Sequence, residues 1–512
     1  MTAGRASPAD GKRLGEQMSK KIGGVVALVG LCSLSLFLLN CGSSSSRPSG
    51  VLYVLTQGSL GFGNNISSFA IDLSSGNLSL VNSNAGTCPT AANTANPAPC
   101  GQPLDILLDP AGATAFVLNQ GIPSATPADA IAPTIYPYTV NSDGSLSAPG
   151  TPAAGWNCVY PNGSSCGVAA PYVLYYDIPL AMVRDAAGQF LFVIDQGQLP
   201  PKTTCPLVGT AANSLTDANN FVGCPSISVF AVNKTTLTFV SQSSTYQSPF
   251  FIGRIPTALS VLAFPTPGSG TTPACGFTTS EEFLYVTSNQ DLSQQHNDNA
   301  LSVYCVSSTG NLTDMTPAPP APPYTPAVNP VSVQAVNTNP VGQNTGGVFV
   351  YVGSQPSASG ALSVFRMCTV VGNAGCMQQD VSNALLLPVL TPPPPATGQN
   401  PVAMLVDPTN NFLYVLCYGS SQVAEYRINT ANGSLSTPAY QPTGSQPVSM
   451  ALHASVNSIG QSLYNNQSGQ FLFVSNSNSD NISGFTLSTT SGTISNPITV
   501  IAPAAPSGMA VH

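Results

Sequence analysis

Apolar residues along this chain fall into two short patterns that recur in turn. The first is a compact apolar run built on an aromatic followed by valine. It occurs at Tyr53-Val54, Phe116-Val117, Phe192-Val193, Tyr285-Val286, Tyr351-Val352, Tyr414-Val415 and Phe473-Val474. Short runs of aromatic and β-branched residues between turn residues predict buried strands rather than helices. The second pattern alternates and ends in an aromatic, as in Ile66-Ser67-Ser68-Phe69, Ile227-Ser228-Val229-Phe230, Leu362-Ser363-Val364-Phe365 and Ile482-Ser483-Gly484-Phe485. Period-two alternation puts its apolar side chains on one face of a strand.

Two further signals complete the repeat. A Gly-x-Leu or Gly-x-Ile turn follows the alternating run at Gly76, Gly144, Gly310, Gly433 and Gly492, and is missing from the third and fifth repeats. A proline then opens a short apolar strand at Pro103, Pro179, Pro256, Pro330, Pro401, Pro447 and Pro506. Proline is tolerated where a strand begins and its missing N–H is not needed. Several of these strands run into turn sequences such as Asp109-Pro110-Ala111-Gly112. Four strands per repeat and seven repeats predict an all-β, seven-bladed β-propeller with four-stranded blades over residues 51–512. The first repeat starts at its second strand, Val51, and the sequence ends on an unpaired first strand, Met509-Ala510-Val511-His512. The expectation is that this last strand completes the first blade and closes the ring.

The spacing locates the extra chain. Successive aromatic-Val pairs lie 59 to 93 residues apart, whereas a propeller blade needs roughly 40–50. The surplus must form long loops, among them 118–134, 147–178, 194–226, 287–300 and 380–400. Beyond residue 50 the chain carries 18 Asp and Glu against 6 Lys and Arg. Nucleic-acid binding needs the opposite sign and is excluded.

Residues 1–41 read as an export signal: Lys20-Lys21 precedes an uncharged apolar run from Ile22 to Leu39. The ending Leu38-Leu39-Asn40-Cys41 resembles a bacterial lipoprotein signal, which implies lipid attachment at Cys41. The alternative is an uncleaved membrane anchor. Residues 42–50, rich in serine, form a flexible tether in either case. Both readings place the propeller outside the cytoplasmic membrane. Eleven cysteines lie beyond the tether. Cys88/Cys100, Cys158/Cys166, Cys205/Cys224 and Cys368/Cys376 are local candidate disulfides, Cys275/Cys305 is a fifth, and Cys417 is left over. Such pairing fits an oxidising compartment. No Cys-x-x-Cys and no Cys–His cluster occurs, so neither a metal nor a cofactor is expected.

The repeat resembles the lactonase-like seven-bladed propellers, the family of 6-phosphogluconolactonase and the YVTN-repeat proteins. The resemblance rests on the Tyr-Val strand, the Gly-x-Leu turn and the Pro-led strand. It implies that the long loops gather on one face, around the mouth of a central channel. Members of phosphogluconolactonase type carry a histidine directly after the strand-leading proline and a glutamate soon after a Tyr-Val strand. Here the post-proline residues are Leu104, Leu180, Thr257, Val331, Val402, Val448 and Ser507, and no glutamate follows an aromatic-Val pair within four residues.

Candidate chemistry is sparse. Two residues before the strand-leading proline stand Asp177 in one repeat and Arg254 in the next. They form either a water-orienting carboxylate with an anion-holding guanidinium or a structural ion pair. His296, one of three histidines, shares a loop with Asp291 and Asp298. That loop offers either a base or a cation site of oxygen and imidazole ligands, or is simply solvated. Asp195 follows the third aromatic-Val pair, and Asp105 sits inside a Pro-led strand, facing the channel or held by backbone N–H groups. Trp156, Tyr160, Tyr172, Tyr175 and Tyr176 fall in one long loop. Two functions remain open. One is a monomeric, lipid-anchored envelope protein that binds a small molecule or an envelope protein at the channel mouth. The other is a hydrolase opening a lactone ring, using Asp177 or His296 with Arg254.

Overall fold

The computed structural model describes residues 50–57, 65–86, 102–121, 133–147, 150, 178–197, 205, 224–242, 249–263, 282–292, 299–315, 324–338, 347–356, 359–367, 386–389, 394–453, 470–488, 491–502 and 505–512. The signal, Cys41, most of the tether, Asp177, His296, Asp298, Trp156 and its neighbouring tyrosines lie outside them. So do Cys88, Cys100, Cys158, Cys166, Cys275, Cys368 and Cys376.

Blade one contains β1 (Val51–Thr56), β2 (Asn65–Ile71) and β3 (Leu78–Gly86), and blade two β4 (Pro103–Leu108), β5 (Thr114–Asn119) and β6 (Thr134–Thr139). Blade three has β7 (Pro179–Arg184), β8 (Phe190–Asp195), β9 (Ser226–Asn233), β10 (Thr236–Phe239) and β11 (Phe250–Phe251). Blade four has β12 (Arg254–Ala263), β13 (Glu282–Asp291), β14 (Ala300–Val306) and β15 (Leu312–Asp314). Blade five has β16 (Pro330–Asn337), β17 (Val348–Ser354), β18 (Ala361–Met367) and β19 (Leu386–Pro388). Blade six has β20 (Pro401–Val406), β21 (Phe412–Cys417), β22 (Gln422–Arg427) and β23 (Ala439–Pro442). Blade seven has β24 (Pro447–His453), β25 (Phe471–Asn476), β26 (Asn481–Leu487) and β27 (Ile494–Ile501), and β28 (Pro506–Val511) ends the chain.

The ring closes as the repeat predicts. β28 joins β1 with Tyr53 opposite Ala510, giving the order β28-β1-β2-β3. Each Pro-led strand touches the next around the circle, from β4 through β7, β12, β16, β20 and β24 to β28 and back to β4. Five blades have the expected four strands. Blade two departs from that expectation. Among the described residues it has three strands, and a single bridge between Val140 and Leu146 stands where the fourth would pair. Blade three has five, because Phe250 and Phe251 pair with Ile227 and Ser226 on β9.

Burial grades outward across each blade. The aromatic-Val strands β1, β5, β8, β21 and β25 are buried at every position. A strand in mid-sheet with a blade on either face has no solvent side, so its sequence runs apolar without alternating. Outer strands alternate instead, as Thr236-Leu237-Thr238-Phe239 does between exposed and buried. The Pro-led strands share a device of their own. Each has a register shift just after its proline, for example between Pro103 and Asp105, Pro179 and Ala181, and Pro401 and Ala403. One extra residue there, such as Leu104, bends the strand and re-aims its side chains.

Candidate ligand-binding channel

The seven Pro-led strands enclose a central cavity of about 1030 Å³. Its wall mixes aliphatic and polar groups: Leu104, Leu180, Leu259, Val331, Val402 and Val448 are each partly exposed in it, and so are Thr257, Gln334, Ser449 and Ser507. The bulge lets two successive residues face the lumen: Leu104 and Asp105 are both partly exposed and both line the cavity. Gln57, Tyr418 and Ser477 line the end near the strand-leading prolines, and Gln57 Nε2 donates to the carbonyl of Pro103 at 3.0 Å. Asp109, Arg184, His453 and His512 line the other end.

Both alternatives weighed for Asp105 hold together. It faces the channel, and its carboxylate accepts the N–H of Ile106 on Oδ1 at 2.9 Å and of Met182, on the next blade, on Oδ2 at 3.1 Å. Burial pushes its pKa up to about 6 against the opposing pull of those two donors. The serines Ser332 and Ser507 bridge neighbouring Pro-led strands in the same way, each reaching a proline carbonyl on the following blade. Asp105 is therefore a strut between blades as well as a wall residue.

Arg254 and Asp195 lie away from the lumen. Arg254 opens β12, is 3 % exposed and donates from Nη1 to the hydroxyl of Ser302 at 3.0 Å. Asp291 stands opposite it in register at the end of β13. Asp195 is buried in blade three, where Ser226 Oγ donates to Oδ2 at 2.6 Å and the Gly197 N–H to Oδ1 at 3.1 Å. Burial raises its pKa to about 7. Neither Arg254 nor Asp195 lines the central cavity. The disulfide Cys205–Cys224 forms as the pairing predicts, with S–S 2.05 Å. It docks on blade four, with Cys205 N–H donating to the carbonyl of Leu292 at 3.0 Å, in a small core with Ile255 and Leu292. Cys305 is also disulfide-bonded, while Cys417 is a free, buried thiol.

Arg184 escaped notice in the sequence, although a signal was there. It is the one cation within the seven Pro-led strands β4, β7, β12, β16, β20, β24 and β28 that follows its proline. Its place at the end of an apolar run disguised it as a boundary residue.

The ring has counterparts among known proteins. Residues 389–511 match the family model of the lactonase, 7-bladed beta-propeller. The chain folds as a seven-bladed propeller, and this last quarter of it is similar to the lactonase family. Solved structures extend the likeness over the ring. The periplasmic gluconolactonase of Pseudomonas aeruginosa is 15% identical, with TM-score 0.50, covering 90% of this chain and 99% of that one. A Bacteroides fragilis protein provisionally designated a 6-phosphogluconolactonase is 13% identical, with TM-score 0.50 and coverage of 92% and 99%. Another of that provisional designation, from Bacteroides uniformis, is 11% identical, with TM-score 0.51 and coverage of 91% and 100%. At such identities the likeness is one of fold. No curated protein matches the sequence.

Proposed function

We propose that this protein is an exported, lipid-anchored binding module whose propeller channel takes a small, largely apolar ligand. The observation that carries the reading is the contrast between the channel and the polar candidates. The lumen of about 1030 Å³ carries leucine and valine side chains from all around the ring with a few polar groups between them, while Arg254 and Asp195 are buried within blades and bonded to serine hydroxyls. Pockets that are apolar with a few placed polar groups are the usual form of a small-molecule site. Export is supported by the bonded Cys205, Cys224 and Cys305 and by the basic and apolar start of the chain. Lipid attachment rests on Leu38-Leu39-Asn40-Cys41.

The competing reading is a lactone hydrolase, favoured by the fold shared with the Pseudomonas aeruginosa gluconolactonase. Acid release by the full chain at constant pH, against a panel of sugar and aliphatic lactones, separates the two. The binding reading expects release equal to buffer, together with calorimetric binding of a neutral aliphatic probe such as octan-1-ol. Turnover that an Arg254→Ala/His296→Ala double variant loses would establish the hydrolase instead.

A further inference from the structure

Arg184 is out of keeping with its surroundings. It ends β7, lines the channel and is enclosed enough that Nε and Nη1 are hidden from solvent. Among the described residues, no hydrogen-bond acceptor reaches either nitrogen. Buried polar groups are almost always paired, and an enclosed charge costs more still without an anion beside it. The nearby carboxylates do not fill the gap. Asp109 Oδ1 accepts the Thr114 N–H at 2.7 Å and Asp185 Oδ1 the Phe190 N–H at 2.8 Å, each closing the turn at the end of its own strand. Their charges steady the guanidinium's proton while burial works against it.

Few other ionisable groups line this end of the channel. His453 and His512 line it from blades seven and one, and Asp109 is the one carboxylate lining the cavity there. Above it the wall is aliphatic: Leu107, Val183, Leu405 and Leu452 are partly exposed in the lumen. The six-residue strands give the lumen a length of roughly 20 Å. Asp105 interrupts the aliphatic wall, with both its oxygens engaged by backbone N–H groups.

We propose that the channel binds a straight-chain aliphatic carboxylate, its chain along the leucine and valine wall and its carboxylate on Arg184. A guanidinium matches a carboxylate's two oxygens with parallel N–H donors. The inference rests on the channel-binding reading above and adds to it the class and direction of the ligand. The anion sits at the end of the channel opposite the strand-leading prolines.

Calorimetric titration of the full chain with octanoate and with octan-1-ol tests it, both kept below aggregation. Octanoate is expected to bind about 10- to 100-fold more tightly than the alcohol. Arg184→Met should erase that advantage while leaving octan-1-ol affinity within about two-fold, because the aliphatic wall is untouched. Far-ultraviolet circular dichroism and the thermal midpoint of Arg184→Met establish that the ring still forms. Arg184→Lys, which keeps the charge and loses the fork, should retain part of the preference and serves if the methionine variant does not fold. Equal affinities for acid and alcohol in the unmodified protein would overturn the role of Arg184 and leave the channel reading standing. Binding of neither probe would overturn both.

Discussion

Tyr414 Oη donates to the carbonyl oxygen of Gly492 at 2.7 Å, across the boundary between blades six and seven. The same bond joins Tyr351 to Gly433 at 3.0 Å and Tyr53 to Gly144 at 3.0 Å. The tyrosine of the Tyr-Val strand and the glycine of the Gly-x-Leu turn are thus two halves of one inter-blade joint. At two joints where one half is missing, another group serves. Blade five lacks the glycine turn, and Tyr285 reaches Met367 Sδ at 2.8 Å instead. Blade three has Phe192 in place of tyrosine, and Gln242 supplies the donor to Gly310 O at 3.1 Å while its Oε1 accepts the Leu312 N–H at 2.8 Å.

Removing the hydroxyl should therefore cost more where the acceptor is a carbonyl. Tyr414→Phe leaves the Gly492 carbonyl short of a partner and should destabilise by about 1–2 kcal/mol. Tyr285→Phe loses only a bond to a thioether, a weak acceptor, and should cost about 0.5 kcal/mol. Urea midpoints at an unchanged slope would measure both. Equal costs would mean that ring packing, common to the two tyrosines, holds the joint.

The glycine half has its own requirement. Gly492 has φ +70°, and a methyl group there would lie 2.1 Å from Phe412 Cδ1. Gly492→Ala combines a left-handed backbone, at about 1–2 kcal/mol, with displacement of a buried ring. The expected loss is about 2–4 kcal/mol, read in the same urea experiment. Recovery in a Gly492→Ala/Phe412→Leu double variant would assign the larger part to the ring.

These joints explain what was legible. The repeat announces itself because each of its signals is local: an aromatic-Val pair, a turn glycine, a proline at a strand start. Ring closure follows from the same pattern, since a lone strand at Pro506 and a blade without a first strand at Val51 complement one another. What was hidden depends on side-chain direction. The position of Arg254 two residues before Pro256 is plain in the sequence, but its burial against Ser302 is set by packing from three strands. The bulge after each proline, which brings Asp105 into the lumen beside Leu104, adds a residue without any change of composition. The two-residue strand at Phe250 is too short to carry a period.

Burial of Asp195 predicts a pH dependence whose sign can be worked out. Its folded pKa is raised from 3.8 to about 7. Between those values the folded chain holds a proton that the unfolded chain has released, so stability falls as pH rises through this window. Asp195→Asn keeps an acceptor for Gly197 and a donor for Ser226. The variant should lose this part of the pH dependence. Above pH ~7 it should exceed the unmodified protein by about 1–3 kcal/mol, and below pH ~4 the two should converge. Thermal or urea unfolding at intervals of pH would show it. A variant less stable at every pH would indicate that the carboxylate is paired with a cation.

Cys417 offers a test of both redox state and packing. It is a free thiol, buried, with its proton held more firmly through burial and its sulfur 3.5 Å from Thr397 Oγ1. Alkylation needs the thiolate and access. Without reductant, iodoacetamide should leave Cys417 unmodified in the native protein and label it fully after denaturation, as followed by peptide mapping. Cys205, Cys224 and Cys305, being bonded, should stay unlabelled in both conditions.

The closing strand ties the first blade to both of its neighbours. β28 pairs with β1 and touches both β24 and β4, so it belongs to three blades at once. Its Met509 is buried with Leu52 and Val54, and His512 exchanges both backbone hydrogen bonds with Val51. A chain ending at Ala505 would present β1, buried at all its positions in the ring, as an apolar strand edge. Such edges recruit other strands. The truncated chain should therefore self-associate in light scattering and lose its single cooperative unfolding transition. A synthetic peptide of residues 503–512 should restore a monomer by adding the missing strand, since main-chain pairing supplies affinity and alternate side chains supply register. A Met509→Asp peptide should restore it poorly, because the carboxylate would enter the core shared by β1 and β25. A truncated chain that stays monomeric and unfolds cooperatively unaided would mean that the other six blades hold the ring without this strand.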